Sequence, residues 1–167
     1  MIKRNVMIKL LSYRTELSGS LFEGDGEEYE DLPEEDEGIE SNEPTEMLIE
    51  GRLLEGNERV ELVYEESELS GMEGSVTSVG FDRSNPGLIS MMRSGTVSTA
   101  LVFEENQRHI CVYRTPFSDF EVCSLALRVE NALLSEGRIE LDYIIEIHGA
   151  QAERCRMTLT VHEIPEF

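Results

Sequence analysis

The alternation that decides the fold is clearest in Glu136–Glu163, EGRIELDYIIEIHGAQAERCRMTLTVHE. After the Glu136-Gly137 turn, apolar and polar residues exchange places at every second position in two runs, 138–148 and about 152–163. A period of two turns one face of a β-strand toward a core and the other toward water. The stretch therefore predicts two strands, and the second has an apolar face of Cys155, Met157, Leu159 and Val161 and a polar face of Arg154, Arg156, Thr158, Thr160 and His162.

The same pattern continues through most of the chain, and the turn signals between its segments are short. Short connections require antiparallel neighbours, because a parallel crossover needs about a dozen residues or more. Closing such a sheet on itself removes its exposed edges. We therefore predict an all-β fold, an antiparallel up-and-down barrel of about eight to ten strands. The other predicted strands span about 4–13, 46–54, 59–66, 74–81, 88–93, 96–103, 107–115 and 119–134.

The segment 119–134 is ambiguous. Its apolar residues fit a helical stripe through Val122, Leu125 and Val129, and they fit a strand nearly as well. We favour one long strand, because the Glu136-Gly137 turn leads directly into a strand that can pair with it.

The acidic residues are concentrated in one part of the chain. No basic residue lies between Arg14 and Arg52, and Glu16–Glu50 holds 15 of the 35 acidic residues. Dense like charge and low hydrophobicity predict a disordered insertion over about 18–44. It lacks the spacing of a calcium-binding loop. The length of the chain predicts a single domain over 1–167, because about 150 residues suffice to bury a sizeable core.

Composition argues against several partners and locations. A net charge of −21 and a pI near 4.4 repel nucleic acid and anionic membranes, so neither partner is expected. The three cysteines form no CxxC pair and no complete disulfide framework, which favours a reducing, cytoplasmic location. Lys9 interrupts the N-terminal apolar run, so we expect neither export nor a membrane span.

Several motifs resemble the YwiB-like family of bacterial proteins. The first is YEESELSGMEGSVT at Tyr64–Thr77, and the second is RSGTVSTALVFEENQRHICVYRTPFS at Arg93–Ser118, with its Arg-x-Gly turn and Tyr-x-Thr-Pro corner. EGRIELDY at 136–143 is similar to that family's last long hairpin. The resemblance implies a calycin-like or lipocalin-like barrel and no particular reaction. The acidic insertion and Ser118, where a Gly is common, depart from the pattern.

One group of polar and aromatic residues interrupts the apolar faces. On the predicted strand 59–66, the period of two turns Glu66 toward the core, where a carboxylate needs a cation such as Arg93. Two interpretations remain open: a pocket floor that orients the polar end of a bound molecule, or a structural tether near a hairpin. Met72, Met91 and Met92 would line a cavity or fill the core. The candidate ligand-binding residues are Tyr64, Glu66, Arg93, Tyr113 and Tyr143, with Thr77 and Thr115 as small hydroxyl groups.

Sequence signals for catalysis, cofactors and metals are weak. The histidines have no metal-ligand spacing, and we expect His109, His148 and His162 to be structural or exposed. No serine lies in a G-x-S-x-G elbow, and no Gly-rich loop precedes a helix. We therefore predict no metal and no cofactor.

Three functional hypotheses follow. The first is a noncatalytic cytoplasmic barrel that holds a small, partly apolar ligand in its lumen. The second is a protein-interaction module that docks its acidic insertion on a basic partner. The third, less favoured, is an enzyme that uses Glu65 or Glu66 with a tyrosine as acid and base. The sequence leaves monomer and homodimer open.

Overall fold

Strands make up most of the described chain. The structure, a computed structural model, describes residues 1–17, 44–70, 72–148, 150 and 152–164. In that part of the chain a 3-10 turn covers Glu68–Ser70 and one short helix, α1, covers Leu133–Glu136. The strands are β1 (Ile2–Glu16), β2 (Thr45–Glu55), β3 (Arg59–Glu65), β4 (Val76–Asp82), β5 (Asn85–Ser94), β6 (Thr99–Phe103), β7 (Arg108–Arg114), β8 (Asp119–Ala132), β9 (Arg138–Ile147) and β10 (Glu153–Glu163).

These strands form one antiparallel sheet that nearly closes on itself. Each strand pairs with its sequence neighbours from β1 to β6 and from β7 to β10, and β1 also pairs with β10. The two remaining edges, β6 and β7, are joined by two backbone hydrogen bonds between Ser98 and Arg114, at 2.9 and 2.8 Å. The predicted all-β antiparallel up-and-down barrel is thereby confirmed.

Alternation along the strands fills the middle of the barrel. Inward-facing side chains from nearly all strands meet in one apolar cluster that packs the middle of the barrel. The largest fully buried side chains in this cluster include Phe103, Ile8, Leu62, Ile89, Ile139 and Leu159.

The junction of β6 and β7 differs from the predicted hairpin. The sequence predicted paired strands over 96–103 and 107–115, but the observed strands pair only through the Ser98–Arg114 bridge. The turn between them bonds to β8 instead, where the Asn106 N–H donates to the Ala126 carbonyl at 2.8 Å. Contact with β8 therefore replaces a β6–β7 ladder.

The ambiguous segment is a strand for most of its length. β8 continues to Ala132, and only Leu133 and Leu134 of the predicted strand enter the helical turn α1. Gly137 ends that turn with φ of 70°, and its N–H donates to the Leu133 carbonyl at 3.0 Å. The long-strand prediction is confirmed up to that turn. The predicted disordered insertion lies outside the described residues except for Pro44.

No helix among the described residues is long and apolar enough to cross a membrane.

Gly95 holds two turns together at one end of the barrel. Its φ is +130°, and a Cβ there would overlap the Gly74 carbonyl oxygen and lie 2.9 Å from the Ser75 Cα. An L-residue is therefore strained here both by its backbone conformation and by the close approach of a second chain segment.

We predict that Gly95→Ala lowers the free energy of unfolding by about 3 kcal/mol, because both strains act together. Urea unfolding followed by far-UV circular dichroism measures the change. The matched control is Gly87→Ala, where the nearest atom to a Cβ is 4.0 Å away, and it is expected to change stability by less than about 0.5 kcal/mol. Equal stability of the two variants would contradict the close approach.

Candidate functional site

A cavity of about 290 Å³ opens at the end of the barrel where β1 ends and β2 begins. The cavity borders the apolar cluster of the barrel, to which Leu10, Tyr64 and Met91 belong. Its size is close to the lower limit of small-molecule pockets and corresponds to about ten water volumes. The lining side chains come from β1, β2, β3, β5, β9 and β10 and from the connection between β3 and β4. They are Leu10, Ser12, Arg14, Thr45, Met47, Tyr64, Glu66, Ser70, Met72, Met91, Arg93, Tyr143, Cys155 and Met157.

One side of the cavity is a row of residues in register across three strands. Tyr64 on β3 pairs with Thr77 on β4, and Thr77 pairs with Arg93 on β5. Antiparallel partners present their side chains on the same face of the sheet, so all three point inward. Glu66 follows two residues after Tyr64 and keeps its orientation, because its N–H donates to the Ser75 carbonyl at 2.8 Å.

An ion pair ties this row together. Arg93 Nη2 donates to Glu66 Oε1 at 3.3 Å, and the side chains of Arg93 and Glu66 are 13% and 2% exposed. The Thr77 hydroxyl donates to the same carboxylate oxygen at 2.5 Å and accepts from Arg93 Nε at 3.1 Å. A buried carboxylate needs such a cation and such hydrogen bonds to offset its lost hydration.

The cavity is completed by a second row on β1, β10 and β9. Arg14 pairs with Cys155, and Cys155 pairs with Tyr143. The Tyr143 ring packs against Phe103 with centroids 4.5 Å apart, which connects the site to the apolar middle. Arg14 lies at the rim, where its side chain is 68% exposed and 3.9 Å from Glu153.

The phenols and the thiol of the cavity are held in their neutral forms. Burial raises the pKa of Tyr64, and the charge of Glu66 raises it further, while Arg93 and the hydrogen bond with Thr77 oppose the rise. Burial also raises the pKa of Tyr143, with Cys155 as the next cause. The pKa of the Cys155 thiol is raised by burial as well, although Arg14 and Tyr143 oppose the rise. The thiol is therefore a poor nucleophile.

The motifs that carried the family resemblance meet at this end of the barrel. Glu66 of the first motif binds Arg93 of the Arg-x-Gly turn. Between the same two turns, the Thr96 hydroxyl donates to the Glu73 carbonyl at 3.3 Å, and the Val97 N–H donates to the Ser75 hydroxyl at 3.1 Å. The Tyr-x-Thr-Pro corner joins through the Ser98–Arg114 bridge described above. The motifs thus both close the barrel and build the cavity.

Four of the five predicted ligand-binding residues line the cavity, and one does not. Tyr64, Glu66, Arg93 and Tyr143 are brought together, whereas Tyr113 packs against the apolar core from β7. Thr115 bonds to Ser118 in its own turn instead. Binding by these residues stays a prediction.

The predicted methionine cluster divides between the inside and the outside of the barrel. Met91 and Met72 line the cavity, but Met92 is 54% exposed on the outer face. Successive residues of a strand point in opposite directions, so Met91 and Met92 could not both face inward.

Sequence reasoning overlooked several lining residues, among them Arg14 and Cys155. A usable signal was present, because the period of two along β1 continues from Leu10 through Ser12 to Arg14. Cys155 was interpreted only as a small buried apolar residue, and Met157, two residues later on the same face, as part of an apolar stripe.

Among the described residues, no three His, Cys, Asp or Glu side chains are close enough to hold a metal ion. The cysteines there are free thiols. His109 Nε2 is buried without a hydrogen-bond partner in the described part of the chain. The cavity is therefore lined by the Glu66–Arg93 ion pair, the Arg14 guanidinium, hydroxyl groups, a thiol and apolar side chains.

The architecture defines the class: an antiparallel β-barrel with a packed apolar cluster and a polar cavity at one open end. The chain belongs to the family described as "Domain of unknown function (DUF1934)", which matches residues 33–159. A similar solved structure is the crystal structure of the ywiB protein from Bacillus subtilis, with a TM-score of 0.70 and 21% identity. That match covers 98% of this chain and 94% of the other, and it shows a shared fold. No curated protein matches the chain.

We predict that Arg93→Met lowers the free energy of unfolding by about 3 kcal/mol, because it leaves the Glu66 carboxylate buried without a cation. The double variant Glu66→Gln/Arg93→Met is expected to be more stable than Arg93→Met alone, because no buried charge remains. Urea unfolding followed by circular dichroism measures both, since the chain has no Trp.

The control for this pair is Arg59→Met on the outer face, where Arg59 bonds to Glu61 at 3.0 Å and both side chains are more than a third exposed. It is expected to cost less than about 1 kcal/mol. A double variant no more stable than Arg93→Met would show that the unpaired buried charge of Glu66 is not the cause of the stability lost in Arg93→Met.

We predict that the barrel loses stability as the pH rises above about 10. Unfolded phenols release their protons near that pH, while the raised pKa values of Tyr64 and Tyr143 keep the folded phenols protonated. The contribution of the two buried phenols to the free energy of unfolding is complete below about pH 10 and is lost progressively above it. Urea unfolding of wild type and Tyr64→Phe at several pH values tests this. We expect the free energy of unfolding of the wild type to fall more steeply with rising pH than that of Tyr64→Phe, because the variant lacks one of the two phenols. Parallel curves would contradict it.

Proposed function

We propose that this protein is a noncatalytic barrel that binds one small, partly apolar molecule in the cavity at its open end. The single observation that supports this most is the buried Glu66–Arg93 pair at the wall of a cavity of about 290 Å³. Polar groups fixed by hydrogen bonds beside apolar walls are typical of small-molecule sites, where they orient one end of the ligand.

The walls suit a ligand with an apolar body. Met47, Met72, Met91 and Met157 line the cavity together with Leu10 and two tyrosine rings. Methionine side chains are flexible and polarisable, so they adapt to the shape of a bound molecule. The raised pKa values of the phenols and the thiol leave no activated nucleophile among them, which supports binding without catalysis.

A reducing, cytoplasmic location is part of the proposal. Its support is the set of three cysteines, which are all free thiols. A second role, docking of the acidic insertion at about 18–44 on a basic partner, is supported by the 15 acidic residues of Glu16–Glu50 and by the absence of basic residues between Arg14 and Arg52.

Native mass spectrometry of the protein purified from its native host tests the binding role. We expect a copurified mass that denaturation releases. Ser12→Trp should reduce its occupancy, because Ser12 lines the cavity and a large ring there fills the space. Leu11→Trp is the matched control, since its side chain is on the opposite face of β1.

Wild-type protein from the native host without a copurified mass would overturn binding in the cavity. Equal occupancy of that mass in both tryptophan variants would overturn it as well. The same preparation separates the two roles. A protein partner held by the acidic residues is released as the ionic strength rises, whereas a ligand enclosed in the cavity is retained.

A further inference from the structure

Glu66 has one carboxylate oxygen with no partner in the described chain. Oε1 accepts from Thr77 and Arg93, and no described residue bonds to Oε2. The fully buried side-chain atoms without a hydrogen-bond partner in the described residues are His109 Nε2 and Arg138 Nε, so Glu66 Oε2 is not sealed in the protein. Because the Glu66 side chain is only 2% exposed and lines the cavity, the space that Oε2 meets is the cavity.

Arg93 presents unused donors to the same space. A guanidinium has five N–H donors, and the described residues use one on Nε and one on Nη2. Nη1 has no partner among them and is not sealed. The cavity wall therefore offers a hydrogen-bond acceptor and several donors side by side.

The charges of the pair select the ligand's polar end. A carboxylate that approached Arg93 would lie beside the buried charge of Glu66, and an ammonium that approached Glu66 would lie beside Arg93. Arg14 also lines the cavity, and Glu153, 3.9 Å from it at the rim, offsets its charge. The wall is therefore close to electrically neutral and strongly polar.

We propose that the cavity recognises a neutral head group that carries an acceptor beside a donor, as in a primary carboxamide, joined to a small apolar body. The carbonyl oxygen accepts from Arg93 Nη1, and the amide N–H donates to Glu66 Oε2. This inference rests on the proposed binding function and specifies the chemical class of its ligand.

Three probes of nearly the same shape test the head group: benzamide, benzoate and benzylamine. Each is titrated into protein with ¹³C-labelled methionine methyl groups, and binding is followed by NMR. We expect benzamide to shift the Met91 signal and leave Met92 unchanged, because these neighbours lie inside and outside the barrel. Its Kd should be at least about tenfold lower than those of the charged probes, because each of these leaves one buried polar partner unsatisfied.

Glu66→Gln changes the charge of the wall and keeps the side-chain shape. Arg93 then acts as an unbalanced cation, so benzoate should become the tightest of the three probes. The matched control is Glu61→Gln, which removes a carboxylate from the outer face beside Arg59 and should leave the order of the probes unchanged. The methionine spectrum of each variant also shows that the barrel is folded.

Tighter binding of benzoate or benzylamine to the wild type would overturn the neutral head group and leave a binding cavity in place. Retention of the wild-type order in Glu66→Gln, or the same change in Glu61→Gln, would also overturn it. If no probe shifts Met91, both the head group and the binding function fail.

Discussion

The buried carboxylate of Glu66 is the constraint around which one end of the barrel is organised. Its charge is stable there only because Arg93 and Thr77 reach it from two neighbouring strands. Their positions depend on the register of β3, β4 and β5, and the glycine contact between the turns holds that register at the strand ends. The ion pair and the turns thus support each other, and a polar cavity remains beside a solid core.

The sequence was sufficient to predict the architecture, because period-two alternation and short turns leave few alternatives to an antiparallel barrel. It was insufficient at β6 and β7. There the residues alternate and a turn signal is present, yet the turn bonds to Ala126 on β8. Local pattern describes which face of a strand is apolar, and it contains no information about which of two available neighbours a turn will contact.

The candidate site was partly predictable for a similar reason. Glu66 and Arg93 could be paired because a charge on an inward face requires an opposite charge, and the structure contains that pair. Tyr113 packs against the apolar core and is not among the residues that line the cavity, although its neighbour Arg114 is bridged to Ser98. Arg14 and Cys155 were overlooked because they approach the pair across the closed sheet, through the pairing of β1 with β10.

The pairing of β1 with β10 also affects how the chain can fold. These strands are joined in register from Val6–Glu163 to Glu16–Glu153, so contacts between distant parts of the sequence are needed to close the barrel. During synthesis, β1 emerges early and keeps one edge unpaired until β10 has left the ribosome. High contact order of this kind slows folding, and the edge of β1 can pair with a wrong strand until β10 is available.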